Sequence, residues 1–233
     1  MSRKIQFAEK EFYHVYNRGV DKRTVFEHDS DSKRFALLLY LCNGKRPVHF
    51  DALPEWRGST SRKLIETVFA QERGKPLVAI GAYCLMKNHF HLLIREITEG
   101  GISAFMHKIS TAYTMYFNTS RKRTGALFQG RFKATHVTSE TQLKYLFSYI
   151  HLNPIKLIVP QWKTGVKLKR AKIERFLSTY TYSSYLDYLG TERKFLQILE
   201  RKEFPDYFPT KDDIEKHIYD WLEHEDSVTS PRG

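Results

Sequence analysis

The sequence predicts an α+β fold of the ferredoxin-like type, a βαββαβ antiparallel sheet with helices on one face. An added helix and a helical C-terminal extension follow that core. Three observations carry the prediction. Strand-like runs occur at residues 12–18, 77–86, 89–96 and 131–137. Helical spacing fills the first and third intervals between them. Only Lys87 and Asn88 separate the middle pair, which leaves room for a tight turn and nothing more.

Each element has its own reason. Phe12 to Arg18 (FYHVYNR) is rich in β-formers, and Asn17, Arg18 and Gly19 end it. Asp31 to Cys42 reads as a helix. Residues 44–76 form a basic interruption bounded by Gly and Pro, with a short helix around Leu64, Ile65, Val68 and Phe69. Leu77 to Met86 is almost wholly apolar, as a central strand would be. His89 to Glu96 completes a hairpin. After Gly100 and Gly101, the apolar positions Ile102, Phe105, Met106, Ile109, Ala112, Tyr113, Tyr116 and Phe117 recur at three and four residues, hence an amphipathic helix. A basic loop leads to a strand from Arg131 to Val137. Ser139 and Gln142 make a capping box, and the helix it opens runs to about Leu152, where Asn153 and Pro154 stop it. In this topology the first and third strands lie at the centre of the sheet. Two more helices are expected at residues 193–202 and 212–223. Residues 1–190 thus form one domain with an insertion at about 44–76, and residues 191–233 an extension.

Charge narrows the partner. The 233 residues carry a formal net charge of +12, yet residues 191–233 alone are acidic, at −4. The remaining 190 residues therefore hold +16, which points to a polyanion. Residues 121–133 carry five basic side chains and no acid. Arg18, Arg121, Lys122, Arg123, Arg131, Lys133, Lys169 and Arg170 are the candidate nucleic-acid contacts. Phe128, Phe132 and Trp162 lie near enough in sequence to stack on unpaired bases. No apolar run reaches the roughly 20 residues of a membrane span, and no secretory signal is evident, so a cytoplasmic protein is expected. Cys42 and Cys84 sit in apolar runs and read as small core residues rather than a disulfide.

Two short patterns carry chemistry. Residues two apart on a strand share a face, so His89 and His91 lie together while Phe90, Leu92 and Ile94 take the other side. That spacing suits two neighbouring ligands on one metal ion, although strand histidines bonded only to their neighbours would show it too. His136 or His151 could add a third nitrogen and make a zinc site instead. In the helix after Ser139, Leu143, Leu146, Phe147 and Ile150 form a buried stripe. Tyr145, Tyr149 and Asn153 form a second one at successive steps of four. The amide oxygen of Asn153 is a hard ligand that could join two imidazoles.

The chain resembles the HUH-type tyrosine transposases, particularly the REP-associated tyrosine transposases. The resemblance runs in order through Tyr13–Arg23 (YHVYNRGVDKR), Gly81–Arg95 (GAYCLMKNHFHLLIR), Gly125–Val137 (GALFQGRFKATHV), Tyr145–Lys156 (YLFSYIHLNPIK) and Tyr182–Gly190 (YSSYLDYLG). It implies that His89 and His91 are paired metal-binding histidines, with Asn153 the polar residue of the same site. Related single-tyrosine transposases have Gln at that last position. The resemblance places the nucleophile at Tyr149, with Tyr145 one turn earlier as the competitor. It further implies Mg²⁺ or Mn²⁺ as cofactor, a 5′-phosphotyrosine intermediate, and single-stranded or hairpin DNA as substrate. The enzyme would act as a monomer or homodimer.

Three rivals remain at this point. An RRM-like module would bind RNA or single-stranded DNA without metal or chemistry, stacking bases on its first and third strands. A zinc hydrolase would use water as nucleophile and leave no protein–DNA adduct. A domesticated relative would bind hairpins and no longer cut them.

Overall fold

The computed structural model describes residues 5–48, 62–159 and 170–224. Four strands form one sheet in the order β2-β3-β1-β4, with β1 at Phe12–Arg18, β2 at Val78–Met86, β3 at His89–Glu96 and β4 at Lys133–His136. All three pairings are antiparallel. This is the ferredoxin-like order, with β1 and β3 central as the sequence implied.

Helices α1 (Asp29–Leu41) and α3 (Gly101–Ser120) cross one face, and α2 (Arg62–Phe69) packs beside α1. Phe90, on that face of β3, meets Phe35 of α1 at 4.9 Å between ring centroids. Phe35 in turn meets Tyr113 of α3 at 5.0 Å, so both helices share one aromatic core. The added helix, α4 (Glu140–Leu152), lies on the opposite face against β2 and β3. Ser139 caps it by accepting from the Gln142 amide at 3.1 Å. Gln142 Oε1 reaches back to the amide of Thr138 at 2.9 Å, one residue beyond the reciprocal partner of a capping box. The α-helix ends at Leu152, with Asn153 as its C-cap, as the sequence implied. The chain then continues in a separate 3-10 turn over Asn153–Leu157, where Pro154 is tolerated because its missing N–H costs nothing in a first helical turn.

Two expectations are corrected. Strand β2 is apolar throughout and fully buried, yet it is an edge strand rather than a central one. Its free edge is covered by the chain after α5 (Arg170–Leu177), where Leu85 N donates to Tyr182 O at 2.9 Å and Ser184 N to Tyr83 O at 3.0 Å. Further along, Glu200 N donates to Ile80 O at 3.0 Å. That contact also explains the second difference. No helix spans 193–202. Two 3-10 turns, Lys194–Ile198 and Arg201–Glu203, flank an extended Leu199 so that the backbone can seal the edge. Gly81 sits at the bulge there, and a Cβ on it would lie 2.6 Å from the Phe204 ring.

The YSSYLDYLG segment, which includes α6 (Tyr185–Tyr188), braces this edge. Arg193 Nε donates to Asp187 Oδ1 at 2.7 Å, and Asp187 is fully buried at its side chain. The second helix of the extension is α7 (Lys211–His224), packed on α4. Trp221 meets Tyr145 at 5.5 Å between rings, and His217 Nε2 bonds the Lys144 carbonyl at 3.1 Å. Both cysteines are free and buried. Among the described residues no helix is long and apolar enough to cross a membrane.

Candidate active site

The register of the two central strands decides which side chains meet. Tyr16 is opposite His91, Arg18 is opposite His89, and His14 is opposite Leu93. Paired residues of antiparallel strands share a face, so His14, Tyr16, Arg18, His89 and His91 all lie on the side that α4 covers. His89 and His91 have ring centroids 5.0 Å apart. Tyr149 comes down from α4 onto them. Its ring lies 5.5 Å from that of His91 and 5.7 Å from that of His14, nearly perpendicular to both. Tyr145 stacks on Tyr149 at 5.8 Å, one turn farther from the histidines and against Trp221.

Each imidazole has a polar neighbour at Nδ1. His89 Nδ1 is 2.6 Å from Asn88 Oδ1, and Asn88 Nδ2 donates to Lys22 O at 3.1 Å. The amide orientation is thereby fixed, and the Asn88 oxygen can only accept. His89 Nδ1 therefore carries the proton, and its Nε2 keeps a lone pair. His91 Nδ1 is 2.9 Å from His14 Nε2.

Burial and a nearby cation keep these rings neutral. Burial pushes His14 down to about 4, helped by the charge of Lys156. His89 also falls to about 4, through burial first, then Lys156 and Arg18. His91 is held well below the ordinary range by burial, then by His14, His89 and Lys156. Neutral imidazole is the form that ligates a metal.

Lys156 itself was missed as a functional candidate. Its Nζ sits 5.2 Å from the Tyr149 ring centroid and donates to Asn153 Oδ1 at 2.6 Å. Asn153 is fully buried and donates from Nδ2 to Tyr149 O at 2.7 Å. Its amide therefore ties the end of α4 to Lys156, and its oxygen already has a partner. His14 was also missed. A single strand histidine carries no signal until the pairing of β1 with β3 is known.

Other candidates are dispersed. His136 pairs with Glu11 at 2.8 Å and stacks on Tyr13, which lies on the α1/α3 face. His151 is buried with Nε2 on Ser184 Oγ at 2.8 Å, away from the histidine pair. Neither joins His89 and His91. Among the described residues, no group of three or more His, Cys, Asp or Glu is arranged to hold a metal ion. The donor chemistry still fits a divalent cation at His89 and His91, since both rings are neutral and the Nε2 of His89 is bare.

The basic residues divide into two sets. Arg18 is exposed beside His89 and reaches Gln129 Oε1 at 3.4 Å. Lys133, opposite Tyr16 on β4, is exposed at the same end of the sheet face. Lys122 and Arg131 are exposed. Arg121, by contrast, holds Glu27 at 3.2 Å and the buried Asp31 at 2.6 Å, which anchors α3 to the start of α1. Arg123 donates to Asn118 Oδ1 and to Ala126 O, closing the loop after α3. Arg170 pairs with Glu174 at 2.7 Å and stacks on Tyr219 at 4.0 Å. Lys169 and Trp162 lie outside the described residues.

Residues 56–153 match the family model described as "Transposase IS200 like". The match contains His89, His91, Tyr149 and Asn153, and it leaves out His14 and Lys156. No curated protein matches the chain. Among solved structures, a REP-associated tyrosine transposase bound to a REP hairpin is similar, with 12% sequence identity and a TM-score of 0.47 over 83% of this chain and 89% of that one.

Proposed function

We propose that this chain, whose residues 56–153 match the IS200-like transposase model, is a transposase of that kind and cleaves and rejoins single-stranded DNA with Tyr149 as the nucleophile. The observation that carries the reading is the placement of Tyr149 on the histidines, within 5.5 Å of the His91 ring and with Lys156 on its other contact. A base-stacking sheet module keeps this face open to nucleic acid. Here α4 lies over it, and His14 and His91 are only 8% and 6% exposed.

The reaction has two halves. Tyr149 Oη forms a bond to the scissile phosphorus as the bond from phosphorus to O3′ breaks. The phenolic proton passes to solvent, and the departing O3′ takes one up. The 5′-phosphate then remains on Tyr149 as a phosphodiester, so its energy is kept, and a 3′-hydroxyl can later attack and reseal. His89 and His91 would hold Mg²⁺ or Mn²⁺, which supplies Lewis-acid polarisation of a phosphate oxygen when bound. Lys156 adds a fixed positive charge near the attacking ring, where negative charge builds. Asn153 positions that ammonium through its oxygen, and Tyr149 through its amide. Arg18 and Lys133 flank the open end and suit the phosphates of a single strand.

A denaturing gel tests this. Labelled single-stranded hairpin DNA with Mn²⁺ gives a band at protein mass with wild type, and none with Tyr149→Phe or in EDTA. An adduct that survives in Tyr149→Phe assigns the chemistry elsewhere, with Tyr145 next in line. Hairpin binding in EDTA with no adduct under any condition points to a binding module or a hairpin-binding relative without chemistry.

A further inference from the structure

Beside His89 and His91 the site contains a third histidine, His14. His14 and His91 are diagonal neighbours on the two central strands, since His14 is opposite Leu93 and Tyr16 opposite His91. Their rings lie 5.1 Å apart at 20°, with His14 Nε2 and His91 Nδ1 2.9 Å from each other. Both are buried.

A hydrogen bond between two neutral imidazoles has two possible directions, and they have opposite consequences. If His14 Nε2–H donates, the proton of His91 lies on its own Nε2, and neither nitrogen can ligate. If His91 Nδ1–H donates, its Nε2 is bare. The second direction repeats what Asn88 imposes on His89, where the Nδ1 proton is fixed on an amide oxygen and Nε2 is free. Both histidines would then present the same nitrogen.

We propose that His14 is a positioning residue for the metal site, accepting the Nδ1 proton of His91 and holding it in the tautomer that leaves Nε2 free to ligate. This rests on His89 and His91 being the metal-holding pair. The contact sets tautomer and ring orientation together, as the partners of ligating histidines do. His14 is also in edge contact with Tyr149, at 5.7 Å and 80°, so the same ring helps seat the nucleophile.

The test uses full-length protein in two measurements. Long-range ¹H–¹⁵N correlation spectra of histidine-labelled, metal-free protein report which nitrogen of His91 is protonated. Titration calorimetry with Mn²⁺ reports affinity without any DNA chemistry. Wild type is expected to carry the His91 proton on Nδ1. His14→Phe, which keeps a ring but cannot accept, should move that proton to Nε2 and weaken Mn²⁺ binding by about 10- to 100-fold. His14→Gln, whose side-chain oxygen accepts, should keep the tautomer and most of the affinity. Wild type that binds Mn²⁺ with His91 protonated on Nε2 overturns the inference alone, as does His14→Phe binding it unchanged. Wild type that takes up no Mn²⁺ overturns the metal reading and removes the role with it.

Discussion

The Tyr149 ring stands at 82° to the His91 imidazole, with their centroids 5.5 Å apart. Two residues 58 apart in sequence, one on a strand and one on a helix, are brought together there. Tyr145 cannot occupy that place, because one turn along α4 puts it against Trp221 instead. Tyr145→Phe is therefore expected to form the DNA adduct at wild-type yield, and Tyr149→Phe none. Gel quantification of the adduct checks both.

Replacing either histidine of the pair should separate chemistry from binding. His89→Ala and His91→Ala are predicted to lower the single-turnover rate of adduct formation by about 100-fold or more. Affinity for hairpin DNA in EDTA should change by less than about threefold, since binding falls mainly to basic side chains. A parallel loss of affinity, read by fluorescence anisotropy, would contradict the assignment.

Lys156 gives a finer test. Lys156→Ala removes the cation beside Tyr149 and leaves Asn153 Oδ1 without the partner it has at 2.6 Å. The expected loss in adduct rate is about 100-fold, with Lys156→Arg recovering much of it because the charge returns. A rate unchanged in Lys156→Ala would show that the charge plays no part.

Stability should depend on pH with a definite sign. His14 and His89 fall to about 4 and His151 to about 3, all chiefly through burial. The unfolded chain takes up protons near pH 6.5 that the folded chain refuses. Stability contributed by these neutral rings is thus present above about pH 6.5 and is lost as pH falls toward 4. Denaturant midpoints of the metal-free protein at pH 7.5, 6, 5 and 4.5 should fall in that order. A flat profile would contradict the buried neutral state.

The brace on the edge of β2 should be costly to break. Asp187 has no exposed side-chain surface, and Arg193 supplies its partner. Arg193→Ala leaves a buried carboxylate unpaired and is predicted to destabilise the fold by about 3–5 kcal/mol. Adding Asp187→Asn should recover part of that loss. Urea denaturation measures both.

Much of this was legible before the structure. The alternation in HFHLLIRE put both histidines on one face, and the limits of β1 and β3 agree with the sequence reading to the residue. The steps of four in α4 put Tyr149 and Asn153 on one stripe. What could not be read depends on pairing. His14 sits in the FYHVYNR run, yet only the register of β1 with β3 brings it to His91. Hydrophobicity suggested that β2 was central, because a sealed edge strand and a central strand bury the same side chains. Charge alone also does not show that Arg121 and Arg123 engage Glu27, Asp31, Asn118 and Ala126 within the fold.

The central claim is that one side chain, Tyr149, takes the DNA. The adduct formed with hairpin DNA and Mn²⁺ can be trimmed by nuclease, digested with trypsin and fragmented in a mass spectrometer. The cleavage sites after Lys144 and Lys156 release both tyrosines of α4 in one peptide, YLFSYIHLNPIK. A residual nucleotide mass is expected on Tyr149, with the fragments that contain Tyr145 alone unmodified. A nucleotide on Tyr145, or on any residue outside this peptide, would contradict it.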